Sequence, residues 1–259
     1  MRPLREAEAS AFRDIRFVLT DMDETLTYRG RLSARTYDAL DRLQRGGVAV
    51  VPVTAAPAGW CDQMARMWPV DGVIGENGGF FFRRAGGHSL DRLFWHGEDG
   101  RREVFRTLEA MAARVVARTG AQLAEDQPFR LTSIAFTQPE TPEARAALVA
   151  ALRAEGADVT VNNLWVLGWL GGYDKLAMGR RILGDACGLS WDQALEQVLY
   201  VGDSVNDAPM FGAFRHTVGV STVVQYRDEI PVLPRWITEG PGGDGFVEAA
   251  DAILAARAG

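Results

Sequence analysis

The stretch Phe17–Thr27, "FVLTDMDETLT", runs an apolar strand straight into three acids, Asp21, Asp23 and Glu24. Carboxylates at the end of a buried strand repel one another where water is scarce. At about 4 Å and an effective dielectric of about 20, two such charges oppose each other by roughly 4 kcal/mol. A chain that keeps them there needs a compensating cation.

The pattern around this stretch sets the fold class. "IRFVLT" reads as a fully buried strand. "SARTYDALDRLQRGG" follows as a helix, with Ser33 as N-cap, Leu40 and Leu43 on one face, and Gly46-Gly47 as the stop. "VAVVPVT" is a second buried strand, and "PAGWCDQMARMW" a helix opened by Pro57. "DGVIGENGG" is a third, short strand ending in a glycine turn. Apolar runs alternating with helices predict an α/β fold, a Rossmann-like doubly wound parallel sheet.

The rhythm then changes. From about Arg83 come a polar hairpin-like segment, the helix "REVFRTLEAMAARVVARTG" and the strand "RLTSIAFT". The helix "PEARAALVAALRAEG" and the strands "ADVTV" and "LWVLGWL" complete an inserted α+β module with its own sheet. Residues 85–171 are assigned to this insertion, and 1–84 plus 172–259 to the core. The first rhythm resumes with the helix "KLAMGRRILGDACG", the segment "WDQALEQ" and the strand "VLYVGD". A short helix from Asn206, the strand "TVGV" and a last helix "GFVEAADAILAARA" end it.

Composition narrows the function classes. An apolar share of 47% over 259 residues supplies a large core, and a net charge of −6 argues against nucleic acid as a partner. Cys61 and Cys187 lie far apart and form no CxxC pair, so a disulfide framework is not expected. The opening "MRPLREAEASAFRD" lacks the apolar centre of a signal peptide, and no apolar run reaches membrane-spanning length. The expectation is a soluble, cytoplasmic protein without a membrane partner; oligomeric state is not encoded in any pattern seen. Among 28 basic side chains only one is lysine, Lys175.

Three strands end in chemically competent groups: Asp21 and Asp23, then Thr54, then Asp203 and Asp207. Ligands of open parallel sheets sit beyond the carboxyl ends of the strands. If these strands are neighbours, four carboxylates and a hydroxyl converge on one crevice. Hard oxygen donors in that number point to Mg²⁺.

In order and in placement, "DMDETLT", Thr54, Lys175 and "GDSVND" resemble the four motifs of the haloacid dehalogenase-like phosphohydrolases. The inserted module resembles the cap of the subgroup that contains Cof-type sugar phosphatases, sucrose-phosphate phosphatase and phosphomannomutase. "GENGG" resembles that subgroup's strand-end Asn-Gly turn. The resemblance implies a Mg²⁺-dependent phosphatase of a small phosphorylated metabolite, with a sugar phosphate as the leading substrate class. Asp21 would then be the nucleophile that forms an aspartyl-phosphate, and Asp23 the general acid and base. Asp21, Asp203 and the backbone of Asp23 would bind the metal, with Asp207 holding its waters. Thr54 and Lys175 would steady the phosphoryl oxygens, and Asn77 and Asn206 would bind substrate or phosphate. The alternatives are a phosphomutase, and a silent protein that binds a phosphorylated metabolite.

One departure stands out. Relatives of the subgroup carry Thr-Gly-Arg at the second motif, where this chain reads Thr54-Ala55-Ala56. Arg83, Arg84 or Arg130 are candidates to replace the missing guanidinium. Trp165 and Trp169 alternate along the last strand of the insertion, either packing within its sheet or turning one edge to the substrate. His88, His96 and His216 have no ligand spacing, and "GPGGDGF" reads as a loop before the last helix.

Overall fold

A computed structural model describes residues 1–162 and 164–258. The first half of the chain gives β1 (Arg2–Pro3), β2 (Phe17–Thr20), a small hairpin of β3 (Thr27–Tyr28) and β4 (Arg31–Leu32), then α1 (Ala34–Arg45). It continues through β5 (Ala49–Pro52), α2 (Ala58–Met67), β6 (Val73–Gly75), β7 (Phe80–Gly86) and β8 (Ser89–Phe94). Next come α3 (Glu98–Thr119), β9 (Ser133–Thr137), α4 (Pro142–Ala154), β10 (Asp158–Val161) and β11 (Trp165–Trp169). The chain then returns through α5 (Lys175–Asp185), α6 (Trp191–Gln197), β12 (Val198–Gly202), α7 (Ala208–Ala213), β13 (His216–Gly219), β14 (Trp236–Ile237) and α8 (Gly242–Ala258).

Six strands pair in the order β1-β14-β13-β12-β2-β5, every pair parallel. Successive side chains of a strand point to opposite faces, and the core divides accordingly. Val18, Val50 and Leu199 enter one apolar layer with Leu40, Leu43 and Ile253, from α1 and α8. Leu19, Val51 and Tyr200 enter the other with Met178, Ile182 and Met210, from α5 and α7. Helices therefore cover both faces, as the unbroken apolar runs require.

Three local departures have simple causes. The hairpin expected from Arg83 begins at Phe80 and pairs through β7 with β6, because Phe80 and Phe82 stack at 4.2 Å on the core side. Arg2 and Pro3 form an edge strand on β14, held by the Arg2 guanidinium 4.2 Å above Trp236. Two residues are too few for any periodicity to reveal. The helix expected from Asn206 opens as a 3-10 turn, Val205–Asp207, before α7.

The antiparallel sheet β10-β11-β9 and the helices α3 and α4 form the cap. Leu108, Met111 and Val115 of α3 and Leu148 and Leu152 of α4 pack on one face of that sheet. The other face presents Ala135, Trp165, Leu167 and Trp169 to Ala55 and Tyr173 of the core. Trp165 and Trp169 pack on the cap sheet with Ala135 and Leu167, as one of the two expectations has it, and reach beyond it to the core. Both are buried at the junction of the two layers, Trp165 edge-on to Trp60 of α2 and Trp169 stacked on Tyr173. No helix among the described residues is long and apolar enough to cross a membrane.

Candidate active site

Because β2 runs between β5 and β12, the segments that follow these three strands share one end of the sheet. Asp21 continues the ladder by donating its N–H to the Val201 carbonyl at 2.9 Å. Lys175 is the first residue of α5, whose N-cap Asp174 accepts from the Ala177 N–H at 2.6 Å. That cap aims the lysine inward. Its Nζ donates to Asp21 Oδ1 at 2.6 Å and to Asp207 Oδ1 at 2.8 Å, with all three side chains buried.

Asp207 is more fully engaged than Asp21 or Asp203. Besides Lys175, its Oδ1 accepts from the Tyr200 hydroxyl at 2.5 Å. Its Oδ2 accepts from the N–H groups of Asp203 at 3.0 Å and Ser204 at 3.2 Å. Asp207 therefore shapes the loop after β12. Asp203, at the start of that loop, accepts from the Thr25 hydroxyl at 3.1 Å. Thr25 belongs to the opening motif, and its role was readable there as the Thr of "DMDET"; sequence reasoning passed over it.

Asp21, Asp203 and Asp207 offer carboxylate oxygens that lie within 4.8 Å of one another. Burial raises the Asp21 carboxyl, against the pull of Lys175, and Asp207 and Asp23 raise it further. Burial likewise pushes Asp203 well above the carboxylate range, with Asp21 and Asp207 adding repulsion. Burial alone would lower Lys175, but Asp207 and Asp21 outweigh it and hold the ammonium charged. One ammonium against three buried acids leaves the cluster short of positive charge. A hard divalent cation such as Mg²⁺ fits this donor set.

Asp23 stands outside that group. It is half-buried by surface area, yet its carboxyl lies deep enough for burial to raise it to about 6 despite the opposing charge of Lys175. With Asp21, Asp203 and Asn206 it lines a cavity of about 860 Å³ roofed by Arg145 and Val149 of α4. Asn206 Oδ1 accepts from the Ser204 hydroxyl at 2.6 Å.

At the end of β5 the cavity wall is Ala55, while Thr54 and Asn77 are buried at the same place. The Thr54 hydroxyl accepts from the Ala56 N–H at 3.0 Å, and the Asn77 N–H donates to the Thr54 carbonyl at 3.0 Å. The Asn77 amide nitrogen is buried without a hydrogen-bond partner among the described residues. Glu76, Asn77 and Gly78 all have positive φ, at 47°, 59° and 112°. A side chain at Gly78 would collide with the Asp174 carbonyl, so this turn needs its glycine.

The three arginine candidates separate cleanly. Arg83 pairs with Asp91 at 3.1 Å on the hairpin surface, and Arg84 reaches the Arg66 carbonyl. Arg130 is buried beside the second motif. It donates to the Ala55 carbonyl at 3.0 Å, pairs with Asp126 at 2.9 Å and lies 4.8 Å over Trp165. From the cap it thus grips the loop where the expected arginine is missing.

Glu76 makes the reciprocal grip, and sequence reasoning missed it. Wholly buried in a core turn, it accepts from Ala58 N–H at 3.1 Å and Leu131 N–H at 2.9 Å through Oε1. Through Oε2 it accepts from the Thr132 N–H and hydroxyl and from the Ser133 hydroxyl. An acid between two apolar strand segments, in "VIGENGG", was the available signal.

The same arrangement of sheet and cap is found in solved structures. A haloacid dehalogenase-like hydrolase from Bacteroides thetaiotaomicron superposes with a TM-score of 0.68 at 16% identity, over 92% of this chain and 99% of that one. The fold is that of the haloacid dehalogenase-like hydrolases. A protein from Thermoplasma acidophilum has a TM-score of 0.72 at 20% identity, covering 93% of this chain and 99% of its own. The sucrose-phosphatase from Synechocystis, solved with sucrose and phosphate, has a TM-score of 0.65 at 18% identity, covering 93% and 98%. No family model matches the sequence, and no curated protein does either.

Proposed function

We propose that this chain is a phosphatase that hydrolyses a small phosphorylated metabolite of the sugar phosphate class. The reading rests on one observation: the Asp21 carboxylate sits at a strand end beside Lys175 and Asp203, at the floor of a cavity closed by a cap. The likeness to a sucrose-phosphatase supports the substrate class. The proposed division is a core of 1–84 plus 172–259 and a cap of 85–171.

In the proposed reaction an Asp21 oxygen attacks phosphorus, and the bond from phosphorus to the ester oxygen breaks. Asp23, raised toward neutrality, gives its proton to the departing alkoxide. It then takes a proton from the water that attacks the aspartyl-phosphate, releasing inorganic phosphate and restoring Asp21. Lys175 holds Asp21 in position and meets charge gathering on the phosphoryl oxygens. The Thr54 hydroxyl and the Asn77 amide, which has no hydrogen-bond partner among the described residues, would orient that group, and Asn206 would contact it from the cavity wall. Asp21 and Asp203 would hold Mg²⁺, which supplies further positive charge to the transferring group, while Asp207 keeps their loop in place.

The test is phosphate release across a panel of phosphorylated metabolites, with and without Mg²⁺. Free phosphate from a phosphosugar supports hydrolysis. A phosphate-conserving isomer instead would assign a mutase, and no turnover of any ester would assign a silent binder.

A further inference from the structure

A second cavity, of about 830 Å³, shares no lining residue with the catalytic one. It lies between the start of α2, the β7-β8 hairpin, the first half of α3 and the segment 128–131. Core and cap therefore both contribute walls. Its apolar lining is aromatic: Phe82, Phe94, Phe105 and Phe129, the last 57% exposed, with Leu131 beside them at 41%. Exposed apolar side chains of this size facing a cleft mark a surface that an apolar group can cover.

The charged lining is mostly basic, although the chain as a whole is acidic. Arg92 is committed to Asp62 at 2.8 Å, and Arg102 to Glu98 at 3.3 Å. Arg101 and Arg106 form no ion pair among the described residues. The Arg101 guanidinium lies 4.1 Å over the Phe94 ring. Two guanidinium groups without an acidic partner, one of them already over a ring, beside the exposed Phe129 fit a ligand that is flat and apolar on one side and anionic at its edge.

The groove is also wired to the phosphate side of the core. The Ala58 and Leu131 amides, from its core wall and its cap wall, both donate to Glu76 Oε1. The next residue, Asn77, is tied to the Thr54 carbonyl. An occupant that draws the two walls together moves the carboxylate that anchors this turn.

We propose that this groove is a second ligand site for a small anion bearing an aromatic or apolar ring, and that its occupant modulates the catalytic site through Glu76. The coupling rests on the phosphatase reading; the binding does not. Anilinonaphthalene sulfonate, a ring-bearing anion with no ester to hydrolyse, serves as the probe, followed by its fluorescence and by calorimetry on the full chain. One site is expected, weakened roughly tenfold or more in the double variant Arg101→Glu/Arg106→Glu, weakened also in Phe129→Ala, and unchanged in Asp21→Asn. Saturating probe should shift kcat/KM for a small phosphate ester by about twofold or more, without competing for the substrate. Equal binding by the charge-reversed variant, or displacement by inorganic phosphate, overturns the site. Single-site binding that leaves kcat/KM unchanged overturns the coupling. A protein that releases phosphate from no ester would sink the phosphatase reading and the coupling together, while the binding titration still decides the groove.

Discussion

Lys175 Nζ stands 2.6 Å from Asp21 Oδ1 and 2.8 Å from Asp207 Oδ1, so one ammonium joins the first and last acidic motifs across 154 and 32 residues of chain. Removing it leaves buried carboxylates unpaired. Lys175→Met should cost about 3–5 kcal/mol of folding stability, read by urea denaturation, together with nearly all phosphate release. Lys175→Arg should fold but lose activity by roughly 100-fold, because a planar fork does not fit between two oxygens held for a point charge. Wild-type turnover in the arginine variant would remove the lysine from the mechanism.

Asp21→Asn should abolish turnover on every phosphate ester while leaving stability within about 1 kcal/mol of the parent. The substitution removes the nucleophile and one of three mutually repelling acids, and Lys175 keeps Asp207. Residual hydrolysis above background in a phosphate-release assay would move the nucleophile elsewhere.

Divalent ions should stabilise the fold independently of catalysis. At about 100 times its dissociation constant, Mg²⁺ should add roughly 2.7 kcal/mol, visible as a rise in melting temperature that a chelator reverses. Asp203→Asn should lose most of that rise, since it removes a donor from the buried group. A melting curve indifferent to Mg²⁺ would contradict the metal assignment.

Arg130 should matter to both stability and positioning. Its partner Asp126 is buried, so Arg130→Met should cost about 3–5 kcal/mol. Arg130→Lys retains charge but loses the fork that reaches Asp126 and the Ala55 carbonyl together. The lysine variant should fold and show a lowered kcat with a smaller change in KM, as expected for a loop held out of register rather than a lost substrate contact.

His216 supplies a pH dependence outside the catalytic cluster. It opens β13 half-buried, with neither ring nitrogen hydrogen-bonded among the described residues. Burial lowers its affinity for a proton, reinforced by Arg235 and Arg215 and opposed by Glu196 and Asp14. The unfolded chain therefore binds the proton more readily. The His216 contribution to stability is fully present above about pH 6.5 and is lost as pH falls below it toward the folded-state value, a slope opposite in sign to that of the raised acids Asp21, Asp23 and Asp203. The difference in urea midpoint between the parent and His216→Leu, compared on the two sides of that range, should isolate this contribution, the parent losing more on the acid side than the variant. An equal slope in the variant would place the titration elsewhere.

The sheet was legible because β2, β5 and β12 are buried on both faces and leave continuous apolar runs. The catalytic candidates were legible because each follows such a run or opens the helix after the cap. What escaped was tertiary. Glu76 and Arg130 have no periodic signature, and the contacts by which each crosses between core and cap lie 55 to 75 positions distant. Trp165 and Trp169 showed the right alternation for a strand, but alternation cannot say which body their face will cover. Thr25 was in plain view and became informative only with Asp203 opposite it.

The scarcity of lysine has a practical consequence. A lysine-specific protease finds one target bond in the whole sequence, after Lys175, at the base of α5. The scissile segment is withheld while the ammonium stays locked among the carboxylates. Cleavage would split the polypeptide into just two fragments, and its rate would time the opening of that helix start with no competing cuts to subtract.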